Sequence, residues 1–435
     1  MSSLQRSLTL KDVIVTVFTS VVGGGIFILT VEIQHSILLG SNVFFAYLLA
    51  AIPTFLIALC YAVLSSSIAE SGSEYLYAKL ILGRRIGFIT AWIYFLGEAT
   101  VLAAISLGSA TLCSNFFNTL GWPQASGFIQ AHLSLLACFL ILVFFLINLL
   151  GVSLYKRVQR MMFLLLVLGM LVYIVSGLPH FKLAQFQSNQ MGGWQEIVQA
   201  AAVIFWAYIG FGNVTNVGDE VKSPEKTLPR GILIAVTLIT ILYLCIAGVT
   251  YGVMPLDQII AAGTVPAISA AFLSNPFVIY LIFTAFIALA SDLSPLLFAS
   301  SRILFALAED RAIPSFLVRV NTRFQTPHYA LGAIALVGIL VVLLFGSFLA
   351  SLLITDIAIL FTFTIITFTS FLLKFKRREI YARAKLHLPA FWLIALGGCI
   401  FSLALLVILA ISNPTTLLFV TAWGLLGGIV YYLKK

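Results

Sequence analysis

The chain has 435 residues, 61% of them hydrophobic and 9% charged, with a mean hydropathy of +1.12. Soluble domains carry about 25% charged and roughly 45–50% apolar residues, so a water-soluble globular protein is excluded. The net charge of +9 would suit nucleic acid by its sign, but the positions of the charges assign them to membrane topology instead.

A membrane-crossing helix needs about 20 apolar residues to span roughly 30 Å of hydrocarbon. In chain order the sequence predicts twelve: 13–36, 42–66, 87–115, 130–150, 158–178, 194–218, 230–253, 277–306, 328–346, 349–373, 389–411 and 414–433. The expected fold class is therefore an all-α polytopic membrane protein. Runs such as LLACFLILVFFLINLLG show no alternation of period two, which argues against an outer-membrane β-barrel. The longest connections lie near 67–86 and 307–327. We therefore expect one membrane domain over 1–435 with no appended soluble domain. No cleavable signal is expected either, since the first apolar run carries glycines at its middle and lacks a small-residue cleavage site.

Of the 24 Lys and Arg residues, all but Lys182 fall before the first span, after the last, or on alternate connections. The positive-inside rule then places both termini in the cytoplasm, with the basic residues against anionic lipid of the inner leaflet. The expected location is the plasma membrane, or the inner membrane in a bacterium. Cys60, Cys113, Cys138, Cys245 and Cys399 are scattered singly, without C-x-x-C spacing, so neither a disulfide framework nor a metal site is expected. His35, His132, His180, His328 and His387 fall at span ends or in loops and show no metal-ligand spacing.

Two spans carry glycines where glycine is expensive, about 1 kcal/mol each relative to alanine. The first reads Val22-Gly23-Gly24-Gly25-Ile26-Phe27, with Gly23 about 15 Å along the helix axis at 1.5 Å per residue. The sixth reads Trp206-Ala207-Tyr208-Ile209-Gly210-Phe211-Gly212-Asn213, followed by Thr215 and Asn216. Spans one and six are five apart, and an odd repeat must enter the membrane inverted. Paired interruptions at corresponding positions point to a transporter's binding site, because non-helical backbone at that depth must line a cavity or be buried in protein. Half-helix N-termini suit a carboxylate, while unwound carbonyls suit an ammonium group or a cation. A zwitterionic amino acid supplies both partners. Close helix packing through small residues is the competing explanation for the glycines.

Those residues also resemble a known family. The stretch from Val22 to Phe27 is similar to the G-S-G-I-F signature of amino acid–polyamine–organocation (APC) superfamily permeases. The segment FWAYIGFGNVTNVGDEVKSPEKTLPRGI, 205–232, resembles that family's sixth helix and following loop. SRILFALAEDRAIPSFLVRVNTRFQTPHYA, 301–330, resembles its SR-x-x-x-A-x-A-x-DG-x-x-P segment. Ser71-Gly72-Ser73-Glu74-Tyr75-Leu76-Tyr77 is similar to its S-G-G-x-Y motif. The resemblance implies a five-plus-five inverted repeat, 13–178 and 194–373, plus two further helices in 389–433. It implies alternating access without a prosthetic group, with an amino acid or related amine as substrate.

By the same resemblance, the substrate carboxylate would meet backbone at Gly23, Gly24, Gly25 and Ile26. Its amine would meet carbonyls around Phe205, Trp206, Ile209 and Gly210, and Trp206 would be a gate. Gly24 replaces the family's usual Ser, Gly212 stands where exchangers often carry an acid, and Leu166 falls where proton-coupled members carry a Lys.

An ionisable group at bilayer depth is a functional candidate by default. Glu98 is near the middle of span three, and the resemblance to exchangers of the family implies that it and Tyr94 face the pocket, where Glu98 would pair with a cationic substrate or release a proton. Asp292, with Ser291 and Ser294, offers hard oxygens for Na⁺ or a proton site. Asp356 is expected near the outer interface, where snorkelling is cheap. Glu32 is a candidate for the external vestibule. Ser223-Pro224 reads as an N-cap with Pro at N1 of a short surface helix.

The leading expectation is a secondary amino-acid transporter, not an enzyme, working as an exchanger or a cation-coupled symporter. It would have no cofactor beyond a coupling H⁺ or Na⁺, and its partners would be a small-molecule substrate and the lipid bilayer, not nucleic acid. A transport-inactive sensor on the same fold and a polyamine or amine exchanger are the alternatives. No nucleophile–base pair or His/carboxylate cluster supports an enzyme, and no G-x-x-x-x-G-K-[ST] loop supports ATP-driven transport. A channel fits the polar breaks less well, because a zwitterion site favours occlusion over flow.

Overall fold

The computed structural model describes residues 6–23, 25–150, 152–321, 323–324 and 326–433. Among them the chain is helical throughout, and its only β-type pairings are the isolated bridges Leu8–Val221 and Gly40–Gln190. Eleven segments are long and apolar enough to cross a membrane. The pair Pro123–Ala131 and Leu133–Leu149, bent by 82° at its junction, makes a twelfth when it is taken as one span.

The crossings are α1 (Leu10–Val21, Gly25–Leu29 and Thr30–Ser36), α2 (Val43–Ser67), α3 (Arg84–Thr119), α4 (Leu133–Leu149), α5 (Val152–Gly177) and α6 (Trp194–Ile204, Phe205–Tyr208 and Asn213–Glu220). They continue with α7 (Pro224–Val253), α8 (Asn275–Glu309), α9 (His328–Phe345), α10 (Phe348–Lys376), α11 (Phe391–Ser412) and α12 (Pro414–Leu433). Eleven of the twelve expected spans are present as such, and the expected span 130–150 corresponds to the bent pair. We call the face at which α1 begins and α12 ends the terminal side.

Helix α3 is the hub. It packs against α4, α8, α9, α10 and α12, and its 36 residues run about 54 Å at 1.5 Å per residue. Small residues let the neighbours approach, as membrane helix interfaces require. A Cβ on Gly97 would meet Ile359 of α10 at 2.7 Å. At the periphery α12 turns Leu418, Leu425 and Ile429 outward, as a lipid-facing helix should.

Both glycine-bearing spans are broken. Helix α1 stops at Val21, because Val22 is extended (φ −81°, ψ 91°), and resumes as a π-helical turn at Gly25–Leu29. π-Turns inside helices gather at functional sites. Helix α6 tightens to a 3₁₀ turn at Phe205–Tyr208, becomes extended at Ile209, and resumes at Asn213. Gly210 has φ +117°, and a Cβ there would lie 2.0 Å from the Ser20 carbonyl oxygen. Glycine is thus required twice, by backbone conformation and by the contact of one break with the other.

One local expectation is corrected. Pro224 does take N1, but the helix it opens is α7 itself, continuous through Pro229 to Val253. Ser223 has φ 47° and makes no side-chain cap.

Candidate functional site

The two breaks meet at a small cavity of about 20 Å³, little more than room for one water-sized sphere. Helix α1 contributes Ser20, Val21 and Gly23, and α3 contributes Glu98 and Val101. Helix α6 contributes Trp206, Ile209, Gly210 and Asn213, and α8 contributes Asp292 and Leu296. Among these lining residues two are acidic and none is basic.

Four lining residues carry a buried polar atom without a hydrogen-bond partner: Ser20 Oγ, Glu98 Oε1, Asn213 Nδ2 and Asp292 Oδ1. Buried polar groups are nearly always satisfied, and leaving one unmade costs about 1–3 kcal/mol. Four around one cavity mark a place where bonds are completed by something other than the protein. Two of these groups are held through their other polar atom. Glu98 Oε2 accepts from Ser300 Oγ at 2.9 Å, and Asn213 Oδ1 accepts from Tyr94 Oη at 2.7 Å.

The backbone of the breaks is also held from behind. The Tyr243 hydroxyl of α7 lies 3.0 Å from both the Val21 and the Ala207 carbonyl oxygens. One hydroxyl proton serves two acceptors, one from each break. Gly23 N–H donates to Val21 C=O at 3.0 Å, and Ile209 N–H to Trp206 C=O at 3.1 Å. Trp206 lines the cavity, and its ring stands edge-on to Phe348 of α10, 5.6 Å between centroids.

The structure therefore brings together Gly23, Glu98, Trp206, Ile209, Gly210 and Asp292. Tyr94 acts one bond away, through Asn213. Gly25 opens the π-turn, Ile26 is buried with its carbonyl accepting from Thr30 Oγ1, and Phe205 packs on Phe363 of α10; none of the three lines the cavity. Gly24 lies outside the described residues.

The grouping of Asp292 with Ser291 and Ser294 is corrected. Ser291 Oγ donates to Ala288 C=O of its own helix, and Ser294 Oγ accepts from Asn148 of α4. Only Asp292 faces the cavity, because positions one and two residues away on a helix point elsewhere. Asp356 is corrected too: it is wholly buried, with both carboxyl oxygens unpartnered.

Ser20, Val101, Leu296 and Tyr243 were not singled out from sequence. A Ser or Tyr in an apolar span carries no signal of its own. Asn213 did carry one, as the first polar residue after the α6 glycines.

Toward the terminal side lie layers of polar contacts. Glu74, in the helix Ser73–Leu82, accepts from Tyr61 at 2.8 Å and Asn216 at 3.1 Å. The position of Glu74 is off the membrane-crossing segments, and burial pushes its carboxyl up from the ordinary range despite hydrogen bonds from Tyr61, Asn216 and Ser73. Below it, Arg302 of α8 pairs with Glu220 at 3.1 Å, both side chains buried. Arg302 also lies 3.8 Å from the Phe298 ring centre. Asp310 closes the last layer with Lys79 and Tyr75.

Comparison with known proteins agrees with this architecture. Residues 8–430 match the family described as "Amino acid permease". The chain is 29% identical to a methylthioribose transporter of Bacillus subtilis (strain 168), over 99% of this chain and 94% of that one. It is 27% identical to a branched-chain amino acid permease of the same organism, over 99% and 93%. It is 31% identical to cationic amino acid transporter 3, mitochondrial, of Arabidopsis thaliana, over 74% of this chain and 55% of that one.

Proposed function

The chain belongs to the amino acid permease family of the APC superfamily, and on that premise we propose that it carries an amino acid across the membrane by alternating access around the α1/α6 cavity. It is a transporter, not an enzyme. The observation that carries the reading is the set of four unpartnered polar atoms on one cavity at two helix breaks. In this reading the substrate carboxylate meets the backbone from Gly23 to Ile26. The amine meets the α6 backbone around Phe205, Trp206, Ile209 and Gly210, with Trp206 as the gate.

Glu98 and Asp292 give the cavity two carboxyls and no base, which favours a positively charged cargo. Two assignments follow in this reading. Glu98 faces the substrate side chain, favouring a basic amino acid, and Asp292 carries the coupling H⁺ or Na⁺. Leu166, where proton-coupled relatives have a Lys, leaves Asp292 as the acid beside Gly23. The acidic lining also favours a second reading, an exchanger of amines or polyamines. The five-plus-five inverted repeat over 13–178 and 194–373, and a terminal side facing the cytoplasm, belong to the same proposal. The charge distribution supports that orientation.

The test is radiolabelled uptake into proteoliposomes from a panel of basic, branched-chain and other neutral amino acids and amines, with and without internal amino acid. Trans-stimulated uptake identifies an exchanger and ranks its substrates. Uptake only under a proton or sodium gradient identifies a symporter. Binding without uptake in either format would overturn transport in favour of a sensor.

A further inference from the structure

Asp356 stands outside the cavity and has no role in the reading above. It is eight residues into α10, about 12 Å from the end opposite the terminal side at 1.5 Å per residue. Its side chain is fully buried, and neither oxygen has a hydrogen-bond partner.

Its position on the helix gives this isolation a direction. At helical spacing Phe348, Leu352, Asp356, Ile359 and Phe363 form one stripe along α10. Phe348 stands against Trp206, and Phe363 packs on Phe205 and Phe211. The two rings thus bracket the unwound part of α6, and Asp356 lies between them on the same stripe. Beside it, Thr355 Oγ1 meets Thr100 Oγ1 of α3 at 2.8 Å, and Ile359 fills the space left by Gly97. Asp356 is therefore set at the junction of α10 with α3 and α6, behind the cavity wall.

A carboxylate there would be an uncompensated charge, since burial without a partner is among the least favourable states a protein can hold. Helices packed on α10 present Tyr94 and Glu98 (α3), Tyr47 and Tyr61 (α2), Tyr208 (α6) and Cys399 (α11), and none of them bonds Asp356. The titratable groups of α9 and α12, His328, Tyr329, Tyr431 and Tyr432, lie at the terminal end, as do those of Ser73–Leu82 and of Arg378–Arg383. Lys374 and Lys376 are in the last turn of α10, about 27 Å or more away along the axis. A metal cation needs several oxygens at once, and among the described residues no cluster of acidic, His or Cys side chains gathers around Asp356. A proton needs one oxygen.

We propose that Asp356 is a proton-binding site separate from the substrate cavity, holding a proton while α10 lies flush against the unwound part of α6 and releasing it to water when the two separate. The proton bound at one carboxyl oxygen leaves as hydronium, and the carboxylate that remains is solvated by the water that enters. The inference rests on the transport reading for its consequence, not for the site itself.

Two measurements on the full chain separate those questions. The first is infrared difference spectroscopy across a pH jump on the protein in lipid. One carbonyl-stretch band that persists in Glu98→Gln and Asp292→Asn is expected to be missing from Asp356→Asn, while the bands of any other protonated carboxyls remain. A spectrum in which Asp356→Asn removes no such band overturns the site, whether or not any substrate is carried. The second is the pH profile of uptake in proteoliposomes for a substrate found with the panel. The wild type should lose about tenfold per pH unit on its alkaline limb, as an essential acid requires. Asp356→Asn should still exchange substrate but with an alkaline limb that is shallower or shifted, any slope left over being that of Asp292, and Asp356→Glu should restore it. An Asp356→Asn profile that coincides with the wild type overturns the coupling. Should Asp356→Asn fail to fold, Asp356→Ser, smaller and neutral, replaces it in both measurements with the same expectations.

Discussion

Gly210 shows what a single residue can be required to do. Its φ of +117° and the 2.0 Å approach of a hypothetical Cβ to the Ser20 carbonyl are independent demands. Gly210→Ala should therefore separate the two breaks. The backbone strain alone is worth about 1–3 kcal/mol, so thermal stability in detergent should fall and uptake should be lost. Uptake at the wild-type rate would mean that the breaks need not touch. Tyr243 poses the complementary case. Tyr243→Phe leaves the buried Val21 and Ala207 carbonyls without their shared donor, a loss of about 1–3 kcal/mol. We expect a lower unfolding temperature and slower uptake, read by thermal-shift and transport assays on the same preparation. The two residues differ in legibility. Glycine in a membrane span is conspicuous because it is costly, whereas a tyrosine in α7 looks like any other aromatic among 15 tyrosines. For the same reason Asp356 was misjudged. Counting residues from a helix end gives depth, but only packing tells whether a neighbour stands between the side chain and water.

The elements were legible because each criterion for a crossing is local. Apolar length sets the span, and Lys and Arg mark its ends, so the eleven long crossings are legible from sequence alone. What sequence left out are features set between elements. The 82° bend ahead of α4 and the continuity of α7 from Pro224 depend on what lies alongside. The attachment of α12 is a further instance. Trp92 of α3 and Trp423 of α12 stack with centroids 5.1 Å apart. Each indole N–H donates to the other residue's carbonyl at 3.0 Å. A Cβ at Gly427 would sit 2.3 Å from the Trp92 ring, so the clasp needs that glycine. Trp92→Phe and Trp423→Phe should each remove one hydrogen bond, about 1 kcal/mol, while keeping most of the aromatic contact. A double-mutant cycle on unfolding temperature should show coupling, because the bonds share one stacked geometry. Substrate affinity should not change, since neither residue lines the cavity. Strict additivity would mean that the clasp is two separate contacts.

At the scale of the whole molecule, the cavity and the terminal side differ in their charges. The cavity gathers four unpartnered polar atoms, whereas the terminal side adds buried charge pairs alongside the unpartnered Asn216 Oδ1 and Tyr77 Oη. Arg302 and Glu220 are the clearest case, a guanidinium and a carboxylate buried together at 3.1 Å. The Arg302 side chain is further held by Ser301 Oγ at 2.9 Å and by the Phe298 ring. From sequence Arg302 was one more positive charge marking the terminal side, because nothing local connects it to a residue 82 positions away. Removing one member of such a pair leaves the other charge buried and alone, which costs about 3–5 kcal/mol, whereas replacing both with apolar groups of similar volume is often neutral or stabilising. Glu220→Gln should therefore lower the unfolding temperature sharply. Arg302→Met with Glu220→Leu should recover most of the loss. The comparison also separates stability from gating. If the pair serves only to hold the fold, the double variant should transport at the wild-type rate. If it latches the terminal side during each cycle, the double variant should stay folded and bind substrate as tightly, yet turn over at a different rate. We expect the second result, because the pair joins α8 to the segment of α6 beyond its break, and that segment must move if the cavity is to open on this side.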